Sequence, residues 1–213
     1  MAGVGSRKKG GQKNVGEENK NGAGRPLFSS PTFFCPSFGG VDWDAARRKY
    51  EPRVFDLRGN LGGIGALAPG IAGLIETRQT SLGASRMRSE RINLAVFPQS
   101  RPYTGPVAVL IDAGSGSATE IFAAGLQELR RAVIVGERSA GGVLPSDMIK
   151  LPTGAIFQYA FADFRTLSGL LIEGRGVAPD LEVKHTRASL LAGRDAPLEA
   201  AIAELQKKPY RER

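Results

Sequence analysis

Cysteine, histidine and tryptophan each occur once in this chain, and aromatic residues make up 7% of it. The single cysteine, Cys35, excludes an internal disulfide; no base stands near it in sequence, so it reads as an ordinary residue and not a catalytic thiol. No apolar run approaches the ~18 residues needed to cross a bilayer, so no membrane span is expected. Arg7, Lys8 and Lys9 have no apolar segment behind them, so no signal peptide is expected either. An excess of negative charge is also absent, the net charge being +8. That positive excess lies at the ends: residues 1–50 carry nine Lys/Arg against four Asp/Glu, residues 207–213 four against one, and residues 51–206 sixteen of each sign. A face that grips phosphates belongs on the folded body, and here the body is neutral, so nucleic-acid binding is not expected.

No metal cluster and no cofactor site is evident. Gly63-Ile64-Gly65-Ala66-Leu67-Ala68 has the glycine spacing of a dinucleotide fingerprint. Pro69 interrupts the helix that fingerprint requires, and no acidic residue follows about twenty positions on.

What is present suits one buried core in a single domain, since 41% of the 213 residues are apolar. Residues 1–40, rich in Gly, Lys and Asn and then in Pro and Phe, are expected to form a disordered arm. Residues 41–52 suit a short helix from Asp42, stopped by Pro52. Strands are expected at 54–57 and 92–97, with a hairpin joining 148–151 to 156–162 across Pro152-Thr153-Gly154. Residues 64–77 suit a buried helix broken or kinked near Pro69 and Gly70, and residues 81–91 a solvated loop containing Met87. Tyr103 is read as an anchoring aromatic. Residues 196–207 form an amphipathic pattern with Leu198, Ile202 and Leu205 on one face and Asp195 as its cap.

The centre of the chain is residues 107–142. Val107 to Ile111 is short, β-branched and wholly apolar, as a strand buried on both faces would be. A glycine- and serine-rich turn follows, then a helix from about Ser117, then a second apolar strand at 132–135, which together make a βαβ unit. Ser117 has two readings. With Glu120 three positions on, it can form a capping box that satisfies first-turn amides. It can also be a nucleophile presented at a helix N-terminus, where N–H groups and the helix dipole hold a developing oxyanion and the small neighbours Gly116 and Ala118 leave room for a carbonyl.

The segment GSGSATEIFAAGLQELRRAVIVGERSAGG resembles the nucleophile segment of the C-terminal-processing (tail-specific) serine peptidases, a family that includes the tricorn core and the retinoid-binding repeat proteins of the retina. Phe55–Gly63 (FDLRGNLGG), Ile172–Val183 (IEGRGVAPDLEV) and Ala192–Leu205 (AGRDAPLEAAIAEL) agree with it in order. The resemblance implies an α/β fold, a Clp-protease/crotonase-like ββα core over residues 53–207, preceded by the remnant helix of an N-terminal cap at 41–52 and followed by a basic tail at 208–213. It implies closing strands at 165–171 and 177–183, Ser117 as nucleophile, a polypeptide substrate, and oxyanion N–H groups from Ala118 and from Gly62 or Gly63.

Bacterial processing proteases place a lysine base about twenty-five residues after the serine, where this chain has Gly142; Lys150 reads as a surface residue. Glu173 matches the glutamate that orients a histidine base in the tricorn-type branch. In relatives of that type the histidine lies upstream of DLRGN, in a region with no counterpart here, so the chain is expected to be internally shortened. The sole histidine, His185, is read as a solvated loop residue. At best weak hydrolysis is expected, because an unassisted hydroxyl stays protonated at neutral pH. The alternative is a non-catalytic binding or scaffold module on the same fold.

Overall fold

The computed structural model describes residues 53–207. The arm expected at 1–40, the short helix at 41–52 and the basic tail at 208–213 lie outside these residues. Four strands, β1 (Arg53–Asp56), β4 (Val107–Ile111), β5 (Val133–Gly136) and β9 (Leu181–Glu182), run parallel in the order β1-β4-β5-β9. Parallel neighbours require crossovers, and helix α2 (Ala118–Glu128) supplies the one between β4 and β5.

β4 is buried along its whole length. Its side chains alternate between two covers, as the period of a strand dictates. Val107, Val109 and Ile111 pack with Ile121, Phe122 and Leu126 of α2. Ala108 and Leu110 pack with Leu198, Ala201 and Leu205 of α4 (Ala196–Gln206) on the opposite face. Asp195 caps α4 by accepting from the Leu198 N–H at 3.2 Å, as its position in sequence suggested.

A smaller antiparallel sheet, in the order β3-β2-β8, comprises β2 (Thr80–Arg86), β3 (Arg91–Val96) and β8 (Asp163–Arg165). The solvated loop expected at 81–91 is therefore corrected to a strand, a short turn and the first residue of the next strand. Leu82, Gly83 and Ala84 are buried in succession, and the register shifts between Ser81 and Ala84. A bulge of this kind erases the two-residue alternation by which a strand is recognised.

Helix α1 is shorter than expected, Leu67–Ala72, and contains Pro69 near its start. There the missing N–H had no intrahelical partner to lose, so proline is tolerated and does not break the helix. The strand expected at 165–171 stops at Arg165; Leu171 bridges back to Arg165, and Thr166 N–H bonds Leu170 O at 3.1 Å to close the turn. Of the strand expected at 177–183 only β9 forms. Asp180 just before it both donates its N–H to Ile134 O and accepts from Ile134 N–H through Oδ2, each at 2.8 Å.

Helix α3 (Arg187–Leu191), capped by Thr186, had no sequence forecast. The forecast hairpin forms from β6 (Ser146–Lys150) and β7 (Ile156–Ala160), which among the described residues pair only with each other. Tyr103 packs against the larger core, and its hydroxyl donates to Pro106 O at 3.3 Å.

Candidate active site

The parallel strands β1, β4 and β5 end side by side, and the loops leaving their carboxyl ends converge on Ser117, the end of an α/β sheet where ligands characteristically bind. Ser117 is the N-cap of α2, with φ 54° and ψ −120°. For a residue with a Cβ this conformation costs on the order of 1–3 kcal/mol, and it persists only where the surroundings over-determine it.

Those surroundings are visible in the hydrogen bonds. The Ser117 N–H lies 3.0 Å from Glu120 Oε2 and 3.1 Å from Gly142 O. The capping box read from the sequence is present: the Glu120 carboxylate accepts from the Ser117 N–H, and the Ser117 side chain is turned to the Glu120 N–H without completing a full hydrogen bond to it. The residue is half-buried, so the hydroxyl is not sealed into the interior.

Glu120 does much more than cap. Its side chain is wholly buried, and its carboxylate also accepts from Ser139 Oγ at 2.5 Å, Gly141 N–H at 2.7 Å and Gly142 N–H at 3.0 Å. A buried carboxylate needs such a complement of donors. It thereby fixes the loop after β5 against the start of α2. Sequence reasoning assigned Glu120 only the cap; the available signal was an acid on the face of α2 that otherwise carries Ile121 and Ala124.

The loop after β1 closes the other side. Gly59 N–H donates to Asp112 Oδ1 at 2.8 Å, Gly116 N–H to Asn60 O at 2.9 Å, and Ser115 Oγ to Leu57 O at 2.8 Å. Gly62, at φ +90°, comes so close that a Cβ added there would stand 2.7 Å from Ser117 Cβ and 2.8 Å from Ala118 N. Only glycine allows this approach. The Gly62 N–H is engaged by Asn60 Oδ1 at 2.9 Å. Gly63 is exposed, and no hydrogen bond involves its N–H among the described residues. Ala118 N–H belongs to the first turn of α2, which lacks intrahelical acceptors.

Glu173 is brought to the same rim. Its Oε2 accepts from Val143 N–H at 2.7 Å and Leu144 N–H at 3.1 Å, so it holds the chain just beyond Gly142. Gly142 itself is exposed, and an added Cβ would meet nothing within 4 Å.

His185 lies elsewhere. It is not the freely solvated residue expected, its side chain being 30% exposed. Its Nε2 is 3.4 Å from Arg58 Nη1 and 3.8 Å from Asp195 Oδ1. Arg58 also donates to Asp195 through Nη1 and Nη2, at 2.8 Å each, and through Nη2 to Asp56 at 2.6 Å. Burial works against the Arg58 charge, but these carboxylates outweigh it and raise its pKa further. Burial alone would push the Asp195 carboxyl up; Arg58 outweighs that and holds it below the ordinary range. Lys150 is exposed on β6, as expected. Among the described residues no lysine or histidine hydrogen-bonds to Ser117, and no group of three or more potential metal ligands occurs.

These features define a class: an α/β protein that presents a strained serine at the start of a helix beside a close-packed glycine loop. The chain belongs to peptidase family S41, whose model matches residues 43–183. It is 38% identical over 93 residues to a carboxy-terminal-processing protease of Bartonella bacilliformis, covering 44% of this chain and 21% of that protein. It is 36% identical over 109 residues to tricorn protease homolog 1 of Streptomyces coelicolor, covering 50% of this chain and 10% of that one. The solved photosystem II D1 C-terminal processing protease superposes with a TM-score of 0.57 at 25% identity, over 66% of this chain and 36% of that one. The stretches shared with the two curated relatives are thus about a fifth or less of those proteins' lengths.

Proposed function

We propose that residues 53–207 are the core of a serine-type peptidase with Ser117 as nucleophile. The observation that carries this reading is the positive φ of Ser117, held by loops from three elements at the carboxyl ends of the parallel strands. In the reaction Ser117 Oγ attacks a peptide carbonyl carbon as its proton passes to water. The carbonyl oxygen gains the negative charge, and the N–H groups of Ala118 and Gly63 receive it at the positive end of the helix dipole. The C–N bond then breaks, the amine leaving with a proton taken from water and the acyl group remaining on Oγ. Gly62, the other candidate, instead shapes the pocket, because Asn60 engages its N–H.

Glu173, with Oε2 committed to the 143–144 amides, has its second oxygen left to orient a histidine base, which supports the tricorn-type branch; the parallel sheet covered by α2 on one face and α4 on the other supports a Clp-protease/crotonase-like core. No base is present beside Ser117 among the described residues, so turnover by this chain is weak. That same observation favours a second reading, a non-catalytic binding module on the same fold. Labelling by a fluorophosphonate decides between them. The peptidase reading predicts one adduct, lost in Ser117→Ala; a folded sample that takes up no label would overturn it.

A further inference from the structure

The β6–β7 ribbon is out of keeping with the rest of the fold. All ten of its residues are exposed, although five of them are large and apolar or aromatic. The register places Ile149 opposite Phe157 and Asp147 opposite Tyr159. One face therefore carries Ile149, Leu151, Phe157, Tyr159 and Phe161, with the Phe157 and Tyr159 rings stacked 6.0 Å apart. A two-stranded ribbon is marginal in water without a cover, and among the described residues this one pairs with no other strand.

The position of the ribbon indicates its use. β6 begins at Ser146, four residues after Gly142, whose carbonyl accepts from the Ser117 N–H. Four extended residues span at most ~14 Å. The near end of β6 is thus within the reach of about five residues of a peptide whose scissile bond lies at Ser117. Glu120 and Glu173 clamp the connecting segment from both sides, so the two are rigidly related.

The edge is also chemically suited. Phe161 N–H donates to Pro145 O and Leu151 N–H to Ala155 O. In an alternating antiparallel ladder these bonds turn the main-chain groups of Ser146, Met148 and Lys150 outward. The outward Met148 N–H is covered by Asp147 Oδ1 at 2.7 Å, the place an incoming carbonyl would take. Charged side chains commonly protect open edges in this way.

We propose that the outer edge of β6 takes up an extended, apolar stretch of the polypeptide substrate as a third strand and leads it to Ser117. Main-chain bonds to Ser146, Met148 and Lys150 fix the register, and the apolar face selects side chains. This rests on the peptidase reading, and its test is a binding measurement that needs no turnover.

The experiment uses the full chain carrying Ser117→Ala and a fluorescein-labelled apolar hexapeptide, read by anisotropy. Strand addition engages alternate amides of the peptide. N-methylation in one register should therefore weaken binding about tenfold or more, while methylation in the other leaves it unchanged. Ile149→Ser and Phe157→Ser should each weaken binding with the melting temperature of the body unchanged. Equal effects of both methylation registers, or no peptide binding, would overturn the proposal. So would ribbon variants that bind normally but turn a dimer into a monomer, which would make a second copy the cover. Register-specific binding without fluorophosphonate labelling of the wild type would remove the peptidase reading and leave the edge. Labelling with ribbon variants that bind as the wild type does would do the reverse.

Discussion

At the scale of single residues, the site depends on one carboxylate and one missing side chain. Glu120 satisfies three main-chain amides and a hydroxyl from a fully buried position, and replacing an oxygen by an amide NH₂ turns a donor toward donors. Glu120→Gln should destabilise the protein by about 3 kcal/mol in chemical denaturation, and the loop at 139–142 should exchange its amide protons faster. Gly142 is the complementary case. Its surroundings have space for a side chain, and its carbonyl touches the Ser117 N–H. Gly142→Lys should supply a proton acceptor in its unprotonated form, so fluorophosphonate labelling should rise at least about tenfold over the parent as pH approaches the ordinary lysine value of about 10. An unchanged rate would show that the lysine reading of that position is wrong. Ser117 stood out in the sequence as a helix start between small residues, a local pattern that fits a cap as well as a nucleophile, and it was the resemblance that marked it as the nucleophile position. The four-donor shell of Glu120 was not, because three of its donors come from a loop some twenty residues away.

At the scale of elements, close approach between segments decides the architecture. Gly125, in the middle of α2, faces β2, where an added Cβ would lie 2.6 Å from Leu82 Cδ2 and 2.9 Å from Leu82 Cα. Alanine is the better helix former by about 1 kcal/mol. The contact involves backbone as well as side chain, so Gly125→Ala should nevertheless lower stability, by roughly 1–3 kcal/mol in urea titration. A stabilised variant would mean that β2 can withdraw without loss. The same contact explains where sequence reading of the fold succeeded and failed. β4, α2 and α4 announce themselves by an unbroken apolar run or a helical stripe that belongs to one element alone. β2 does not, because its bulge places Leu82, Gly83 and Ala84 inward together, and because the surface that covers them, α2 and Phe164, is distant in sequence. β9 was overextended for a related reason. The apolar residues at 177–183 serve partly as loop anchors, Val177 N–H donating to Ser139 Oγ at 2.6 Å.

At the scale of the whole molecule, ion pairing sets the response to acid. Asp195 joins the α4 cap to Arg58 at the root of the loop after β1, and Arg58 keeps its carboxyl depressed against the effect of burial. Glu128 is depressed as well: burial would raise it, but the Ser168 and Thr166 hydroxyls outweigh that. A carboxyl whose folded value is lowered contributes stability that is fully present above its unfolded value, about 4, and lost as pH falls through the folded one. Melting temperature should thus hold steady from about pH 7 to 5 and decline below about pH 4. Asp195→Asn should lower the plateau and flatten the decline. A decline of unchanged steepness in that variant would remove Asp195 from the account. The same ion pairs hold the β1 loop, so acid should release Gly62 and Gly63 from Ser117 before the core of β4 opens.

The most direct measurement is a crystal structure of the protein after reaction with a fluorophosphonate. The account predicts phosphorus bonded to Ser117 Oγ, with the phosphoryl oxygen about 3 Å from both the Gly63 and the Ala118 nitrogens. An adduct on another serine, or a phosphoryl oxygen turned to solvent away from both amides, would contradict it.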